Sequence, residues 1–361
     1  MAFTVLNSNK AGIGSFFSKF SNRSKPSKSF NVSACPHAGL QLPVYFGFRE
    51  RTPNVAKLRI SIVQYLNTAP LVWGFTNGPL RGKYDLSFTV PSLCAEALRS
   101  GAADIAIIPA IEYQRMDNLM ILPDMAIASK NRVRSLLIIS KMPIEDARNI
   151  ALDSSSRSTQ ALTRILCDRS WKIAPEFFEM PPDIDAMLRR ADAALLIGDP
   201  ALRLAITAEP DAKRGPSGEL VCSAASAGVS RAGSLHVYDV VEEWRKMTSL
   251  PAVLAVWAAR SEVANADVIE DFQASRDLGL QNLDEISQQA ARELKLPSEQ
   301  LRRYLSENID FNLDEDNLRG LTAYFTFAAA MGLIPRMKTI GIAAARNKPV
   351  RYMDFVFAKS S

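Results

Sequence analysis

Short apolar runs with strand-like spacing alternate with helical patterns along most of this chain. The first run, Leu58–Val63, alternates as a strand does, and Asn67–Pro70 then opens a helix with a cap residue and an early proline. Further strands are predicted at Leu86–Val90 and Ile105–Ile108, with the helix Leu93–Leu98 between them. Such alternation indicates parallel β/α units, which usually bind ligands at the carboxyl ends of their strands.

A second series of β/α units follows a break in this pattern. The predicted strand Arg134–Ser140 ends at a Met-Pro pair, after which the strand Asn149–Asp153 and the helix Thr159–Cys167 begin a new unit. The crossover between two lobes is therefore predicted near residues 141–148. The series continues through the helix Ile184–Arg190.

The rest of the second lobe and the return to the first are also patterned. A strand is predicted at Ala194–Ile197, a polar, Gly-rich surface loop at Pro210–Gly233, and a strand that returns to the first lobe at Val253–Trp257. Breaks at Gly279, Pro297 and Gly332 separate the helical patterns that follow. These predicted helices are Val263–Leu278, Leu283–Leu294, Ser298–Asn308 and Leu313–Gly332.

The predicted architecture is an α/β fold of two lobes with a helical C-terminal part. Its segments are a disordered basic extension (1–57), the first lobe (58–145), the second lobe (146–250), the return to the first lobe with the C-terminal helices (251–335), and a basic tail without a pattern (336–361). With 47% hydrophobic residues among 361, the chain is large enough to bury a core in each lobe.

The net charge of +5 has a local source. Residues 1–49 hold six of the 43 Lys and Arg and none of the 38 Asp and Glu, so the rest of the chain is nearly neutral, and nucleic acid is not predicted as a partner. A mistaken upstream start codon, a disordered extension and a targeting leader all fit residues 1–57. An export signal fits least, because Lys19, glycines and serines interrupt the apolar stretch Ala11–Phe20.

The cysteines and the apolar runs indicate where in the cell the protein functions. The four cysteines form no CxxC or Cys/His cluster, so neither a zinc site nor a redox pair is predicted, and a reduced, cytoplasmic location fits best. No apolar stretch reaches the ~20 residues that span a bilayer. The sequence therefore predicts no metal and no association with a membrane.

Two polar clusters mark the starts of predicted helices. Asn67 and Thr68 place an amide and a hydroxyl at a helix N-terminus, where free N–H groups and the helix dipole favour a carboxylate, although simple capping explains either residue equally well. The stretch Asp153–Thr159 combines five hydroxyls with Arg157, which is more than capping needs. It is the stronger prediction of an anion site.

Other candidates are weaker. Ser135 follows two arginines that are most simply surface residues, and Asp199 stands between a strand and a helix as a cap, a hydroxyl acceptor or a proton carrier. Glu112 is a candidate buried carboxylate, with lobe-stabilising ion pairing as the alternative. His236, the one histidine in the predicted folded part, is most simply a structural residue.

Six segments together carry a resemblance to a known family. The segments are LRISIVQYLNTAP (58–70), ADIAIIPAIEY (103–113), VRSLLI (133–138), ALDSSSRST (151–159), AALLIGDPAL (193–202) and EEWRKMTSLPAVLAVW (242–257). In this order they closely resemble the chorismate dehydratases of the menaquinone pathway.

The resemblance implies the type II periplasmic-binding-protein fold and an enzyme without a cofactor. Such an enzyme removes water from chorismate to give 3-[(1-carboxyvinyl)oxy]benzoate, the first committed step of the futalosine route. Carried over by motif, Asn67 is the catalytic residue. The implied substrate contacts are Thr68, Ser135, Ser154, Ser155, Ser156, Arg157, Ser158, Thr159 and Asp199.

The proton acceptor is the open point in this chemistry. Our hypothesis is that the enolpyruvyl carboxylate of the substrate, held by Ser154–Thr159, helps to take the ring proton. Asn67 would then hydrogen-bond the departing hydroxyl or the developing enolate.

Three other functions are considered. A solute-binding protein would require an export signal or a lipid-attachment cysteine at its start, and the sister enzyme 1,4-dihydroxy-6-naphthoate synthase would require a general base, for which only His236 is available. A ligand-sensing regulator would require a helix-turn-helix, which residues 1–57 do not form.

Overall fold

Two β-sheets of seven strands each form the frame of residues 57–346 and 348–353, the part of the chain that the computed structural model describes. The strands are β1 (Arg59–Val63), β2 (Asp85–Thr89), β3 (Ile105–Pro109), β4 (Leu119–Ser129), β5 (Leu136–Ser140), β6 (Asn149–Asp153), β7 (Glu176–Met180), β8 (Ala193–Ile197), β9 (Lys213–Arg214), β10 (Leu220–Ser223), β11 (Ser234–Asp239), β12 (Ala252–Arg260), β13 (Ile340–Ile342) and β14 (Arg351–Met353).

Helices connect most of these strands. They are α1 (Ala69–Thr76), α2 (Pro91–Ser100), α3 (Ala110–Tyr113), α4 (Arg157–Leu166), α5 (Ile184–Arg190), α6 (Gly198–Ala208), α7 (Val240–Thr248), α8 (Ala266–Gln281), α9 (Leu283–Leu294), α10 (Ser298–Arg303) and α11 (Glu315–Ala330). Shorter 3₁₀ or π turns adjoin several of them, including Leu66–Thr68 before α1 and Tyr304–Asn308 after α10. No helix of the described residues is both long and apolar enough to cross a bilayer.

The two sheets define the two lobes. The first lobe contains the sheet β14-β13-β4-β12-β3-β1-β2, and the second contains the sheet β7-β6-β8-β5-β11-β10-β9. In the first, β1 is parallel to β2 and β3, and β12 is antiparallel to β3 and β4. The α/β fold of two lobes with a helical C-terminal part is therefore confirmed.

The apolar pattern of the strands explains where the core lies. Every residue of β3 and β8 is buried, which agrees with their uninterrupted apolar sequences and their central places in the two sheets. In the first lobe, α8 packs against α1, and the rings of Phe75, Trp257 and Phe272 meet edge to face. At this contact an added Cβ on Gly279 would lie 1.9 Å from the carbonyl oxygen of Pro70.

The chain crosses between lobes earlier than the sequence predicts. Strand β5 pairs with β8 and β11 in the second sheet, so the first crossing occupies residues 130–135 and the predicted crossover at 141–148 is wrong. At the crossing, Arg134 has a φ of 61°, and its backbone N–H and that of Val133 donate to the carboxylate of Asp239. The Met-Pro break merely ends β5 within the second lobe.

Two further predictions need correction. The stretch Pro210–Gly233 is not wholly a loop, because β9 and β10 form the edge of the second sheet there. The segment 336–361, in which no element is predicted, contains two strands of the first sheet. Strand β13 pairs with β4, and β14 pairs with β13. The prediction of disorder for residues 1–57 falls outside the described residues, apart from residue 57.

Candidate active site

A cavity that is partly open to solvent lies where β1, β3 and β8 end and α4 begins. No charged side chain lines it, and hydroxyl or amide groups interrupt an otherwise apolar wall. Its lining residues are Val63, Tyr65, Asn67, Pro91, Pro109, Ile127, Leu136, Ser156, Thr159, Ile197, Gly198, Leu254 and Ala255. Residues of both lobes line it, and a cleft between two lobes is a common place for a ligand to bind.

Asn67 is held by two neighbouring hydroxyl groups. It lies in the 3₁₀ turn between β1 and α1, with 9% of its surface exposed. Its Oδ1 accepts a hydrogen bond from Thr68 Oγ1 at 3.4 Å, and its side chain also interacts with the hydroxyl of Tyr304. Thr68 is fully buried and is not among the lining residues, so it orients Asn67 from behind.

Tyr304 connects Asn67 to Ser135. The Tyr304 hydroxyl donates to Ser135 Oγ at 2.9 Å, and Ser135 is 1% exposed at the chain crossing. Burial raises the pKa of Tyr304, so its hydroxyl remains a neutral donor. Sequence reasoning missed Tyr304 because it lies on the π turn after α10, 169 residues from Ser135 in sequence.

The N-terminus of α4 borders the cavity. Ser156 is the N-cap, and its Oγ accepts a hydrogen bond from the backbone N–H of Thr159 at 3.4 Å. Both side chains line the cavity. The first N–H groups of a helix lack partners within the helix, and the dipole places partial positive charge there, so this end favours a carboxylate.

Other members of the predicted cluster point elsewhere. Ser154 is exposed, and Ser155 and Ser158 are buried but do not line the cavity. Ser155 Oγ donates to Asp153 at 2.6 Å, and Ser158 Oγ accepts from the backbone N–H of Ile111 across the lobes at 3.0 Å. The structure thus brings Asn67, Ser156 and Thr159 together at the cavity, with Thr68, Ser135, Ser155 and Ser158 behind its wall.

The guanidinium of Arg157 contacts Glu112 and not the cavity. Arg157 Nη1 lies 3.2 Å from Glu112 Oε2, and Arg99 and Arg115 bond the same carboxylate. Glu112 is fully buried on α3, where burial alone would raise its pKa, but hydrogen bonds from Arg99 and Arg115 hold the pKa below its ordinary value. The structure shows the lobe-stabilising ion pairing of Glu112, in which Arg99 and Arg115 belong to the same lobe and Arg157 to the other.

Replacing Glu112 with glutamine should lower the free energy of unfolding by about 3 kcal/mol, because it leaves three guanidinium groups without their shared buried anion. Chemical denaturation measures this effect. The matched control is Glu262→Gln, at an exposed position, which should change the stability by less than about 0.5 kcal/mol. Equal stability of the two variants would contradict the structural role of Glu112.

Asp199 joins the second lobe to the turn that carries Asn67. Its Oδ1 accepts a hydrogen bond from the backbone N–H of Leu66 at 3.0 Å, and it does not line the cavity. The neighbouring Gly198 has a φ of 69°, and an added Cβ would lie 2.7 Å from the ring of Tyr65, so only glycine allows the lobes to approach this closely. Burial raises the pKa of Asp199 to about 7.

This raised pKa predicts a pH-dependent stability. The folded protein disfavours the charged carboxylate, so the contribution of Asp199 to stability is greatest below the ordinary pKa of 3.8, falls as the pH rises to about 7, and is then constant. Asp199→Asn keeps an acceptor for Leu66 and removes the titration. Its melting temperature should therefore exceed that of the wild type by a margin that grows up to about pH 7. A difference in melting temperature that does not change with pH would contradict the raised pKa of Asp199.

His236 lies away from the cavity. It is on β11, and its Nδ1 lies 3.2 Å from Glu219 Oε1. Among the residues that the structure describes, no three His, Cys, Asp or Glu side chains are grouped so as to hold a metal ion.

Comparison with solved structures defines the class of the fold. A protein from Archaeoglobus fulgidus has a TM-score of 0.58 and 21% identity, over 77% of this chain and 98% of its own. The periplasmic aliphatic sulphonate-binding protein of Escherichia coli has a TM-score of 0.52 and 14% identity, over 84% and 95% of the two chains. Two lobes around a central cavity thus place this chain in the class with the periplasmic-binding-protein fold.

Sequence comparison then gives the family. The profile of the family described as menaquinone biosynthesis matches residues 58–330, and this chain belongs to that family. The chorismate dehydratase of Thermus thermophilus is 28% identical over 276 residues, which cover 76% of this chain and 95% of the relative. The match begins at the residue where the strand pattern of the sequence begins.

Proposed function

We propose that this protein is a chorismate dehydratase, a carbon–oxygen lyase that converts chorismate into 3-[(1-carboxyvinyl)oxy]benzoate and water during menaquinone synthesis. The family and the similarity to the Thermus thermophilus enzyme support the reaction. The observation that carries the proposal is the cavity itself, which joins the start of α4 to Asn67 within an apolar wall.

The shape of the substrate matches this arrangement. Chorismate carries two carboxylates and one hydroxyl on a six-membered ring. The apolar wall fits the ring, and Ser156, Thr159 and the N–H groups at the start of α4 bind the enolpyruvyl carboxylate. Binding in a closed cleft excludes water, which strengthens these interactions.

The reaction needs one proton to move and one bond to break. The hydrogen on the carbon that bears the ether leaves as a proton, its bonding electrons form a ring double bond, and the neighbouring hydroxyl departs with a proton as water. The enolpyruvyl carboxylate takes the proton and passes it to the leaving oxygen. Asn67 stabilises the charge that develops on the ring carboxylate, held in place by Thr68 and Tyr304.

Aromatisation supplies the driving force, so no coenzyme is required by this route. A cytoplasmic location belongs to the same proposal. Among the described residues, Cys94, Cys167 and Cys222 are buried free thiols, as a reducing compartment allows.

Incubation of the purified protein with chorismate tests the proposal. Liquid chromatography with mass detection should show a product lighter by one water, formed without added metal or coenzyme. Binding of chorismate without turnover would instead indicate a solute-binding protein. The absence of both would point to the sister 1,4-dihydroxy-6-naphthoate synthase and its substrate.

A further inference from the structure

A directed chain of hydrogen bonds runs from the cavity wall into the second lobe. Tyr65, which follows β1 and lines the cavity, has its hydroxyl 3.3 Å from Ser155 Oγ. Ser155 Oγ in turn donates to Asp153 Oδ1 at 2.6 Å. Asp153, at the end of β6, is fully buried. The proposed mechanism uses none of these three groups.

The Asp153 carboxylate fixes which group donates in each hydrogen bond of this series. The Asp153 carboxylate accepts hydrogen bonds from the backbone N–H groups of Ser155, at 2.9 Å, and of Ile197, at 3.2 Å, as well as from Ser155 Oγ. Backbone N–H groups only donate, so the carboxylate acts as an acceptor. Because the Ser155 hydroxyl gives its one hydrogen to Asp153, it can only accept from Tyr65.

The state of the Tyr65 hydroxyl follows from this. Its single hydrogen is committed to Ser155, so its remaining hydrogen-bonding capacity consists of lone pairs. Burial raises the pKa of Tyr65, so the phenol does not ionise in the neutral range. Towards a ligand, Tyr65 is therefore a neutral group that accepts hydrogen bonds and does not donate them.

We propose that Tyr65 determines specificity by accepting a hydrogen bond from the ring hydroxyl of the substrate, and that Ser155 and Asp153 are positioning residues that keep Tyr65 an acceptor. This inference rests on the proposed function. In ionised chorismate the carboxylates only accept hydrogen bonds, and the ring hydroxyl is the one group that donates. An acceptor at this position therefore selects the hydroxyl and repels a carboxylate.

The same contact aids the departure of water. When the substrate hydroxyl donates its hydrogen to Tyr65, its lone pairs are left for the proton that arrives from the enolpyruvyl carboxyl group. As the oxygen gains that proton it becomes positive, and its hydrogen bond to Tyr65 strengthens. The contact is thus stronger in the transition state than in the bound substrate, so it contributes to kcat as well as to KM.

The test compares two ligands that differ in the ring hydroxyl. Tyr65→Phe should raise KM for chorismate and lower kcat, with a loss in kcat/KM of about 10-fold or more from one buried hydrogen bond. The inhibition constant of the product, which lacks the hydroxyl, should stay within about 2-fold of the wild type. The control is Tyr352→Phe, on the exposed edge strand β14, which should behave as the wild type.

A second variant separates this role from a merely structural one. Ser155→Ala keeps the Tyr65 ring but frees the hydrogen of the Tyr65 hydroxyl. It should therefore also lower kcat/KM for chorismate more than it weakens binding of the product. In the double variant, kcat/KM should fall no further than in Tyr65→Phe alone. Losses that are equal for chorismate and the product, or additive losses in the double variant, would overturn the inference even if the wild type dehydrates chorismate. A wild-type protein that neither binds nor converts chorismate would overturn both proposals.

Discussion

Asn67→Ala should lower the turnover of chorismate by about 100-fold to 1,000-fold, the usual effect of removing a preorganised donor from a site where charge develops. The side chain lines the cavity, and Thr68 and Tyr304 hold its orientation. KM should change far less than kcat, because the carboxylate site at the start of α4 is left intact. Steady-state kinetics with purified protein measures both constants.

Two controls make this result specific. The melting temperature of Asn67→Ala should fall by only a few degrees, the cost of its lost contacts with Thr68 and Tyr304, so the variant should remain folded at the temperature of the assay. Tyr304→Phe removes the hydroxyl that interacts with Asn67 and should lower turnover by about 10-fold, less than the effect of Asn67→Ala. Near-normal turnover of Asn67→Ala would exclude its catalytic role.

Gly279→Ala should destabilise the protein by about 3 kcal/mol, the upper end of the usual effect of overpacking. The added methyl group would lie 1.9 Å from the carbonyl oxygen of Pro70, so α8 would have to move away from α1. Pro70 follows Asn67 by three residues, so the same movement should disturb the site and lower turnover in whatever protein remains folded. Thermal denaturation and the yield of folded protein measure the first effect.

The control for this prediction is another glycine. Gly332 has a φ of 67°, and an added Cβ there would meet no atom within 4 Å. Gly332→Ala should therefore cost about 1 kcal/mol from backbone strain alone. If both variants were equally stable, the close approach of α8 to α1 could not be a determinant of stability.

The sequence predicts best the elements whose apolar pattern is regular. The strand Asn149–Asp153 and the helices Ile184–Arg190 and Leu283–Leu294 have the predicted bounds. Strand β4 was missed because Asp124, with a φ of 62°, interrupts its pattern, and β7 was missed because its residues are largely exposed and include glutamates. Neither strand has the local signal that a single sequence can provide.

The site was predictable only where its residues are neighbours in sequence. The motifs around Asn67 and Ser156 indicated two helix N-termini, which the structure brings to one cavity. The partners of Arg157 could not be predicted, because Glu112 lies 45 residues away and on the other lobe. Tyr304 carries no motif at all, since its role depends on packing of the C-terminal part against the chain crossing.

The strand order also sets when each lobe can be completed during translation. The second sheet consists of residues 136–239, a continuous stretch that is synthesised before β12. The first sheet cannot be completed until β12 pairs with β3 and β4, so these apolar strands lack their central partner until then. The lobe whose synthesis starts first is therefore completed last.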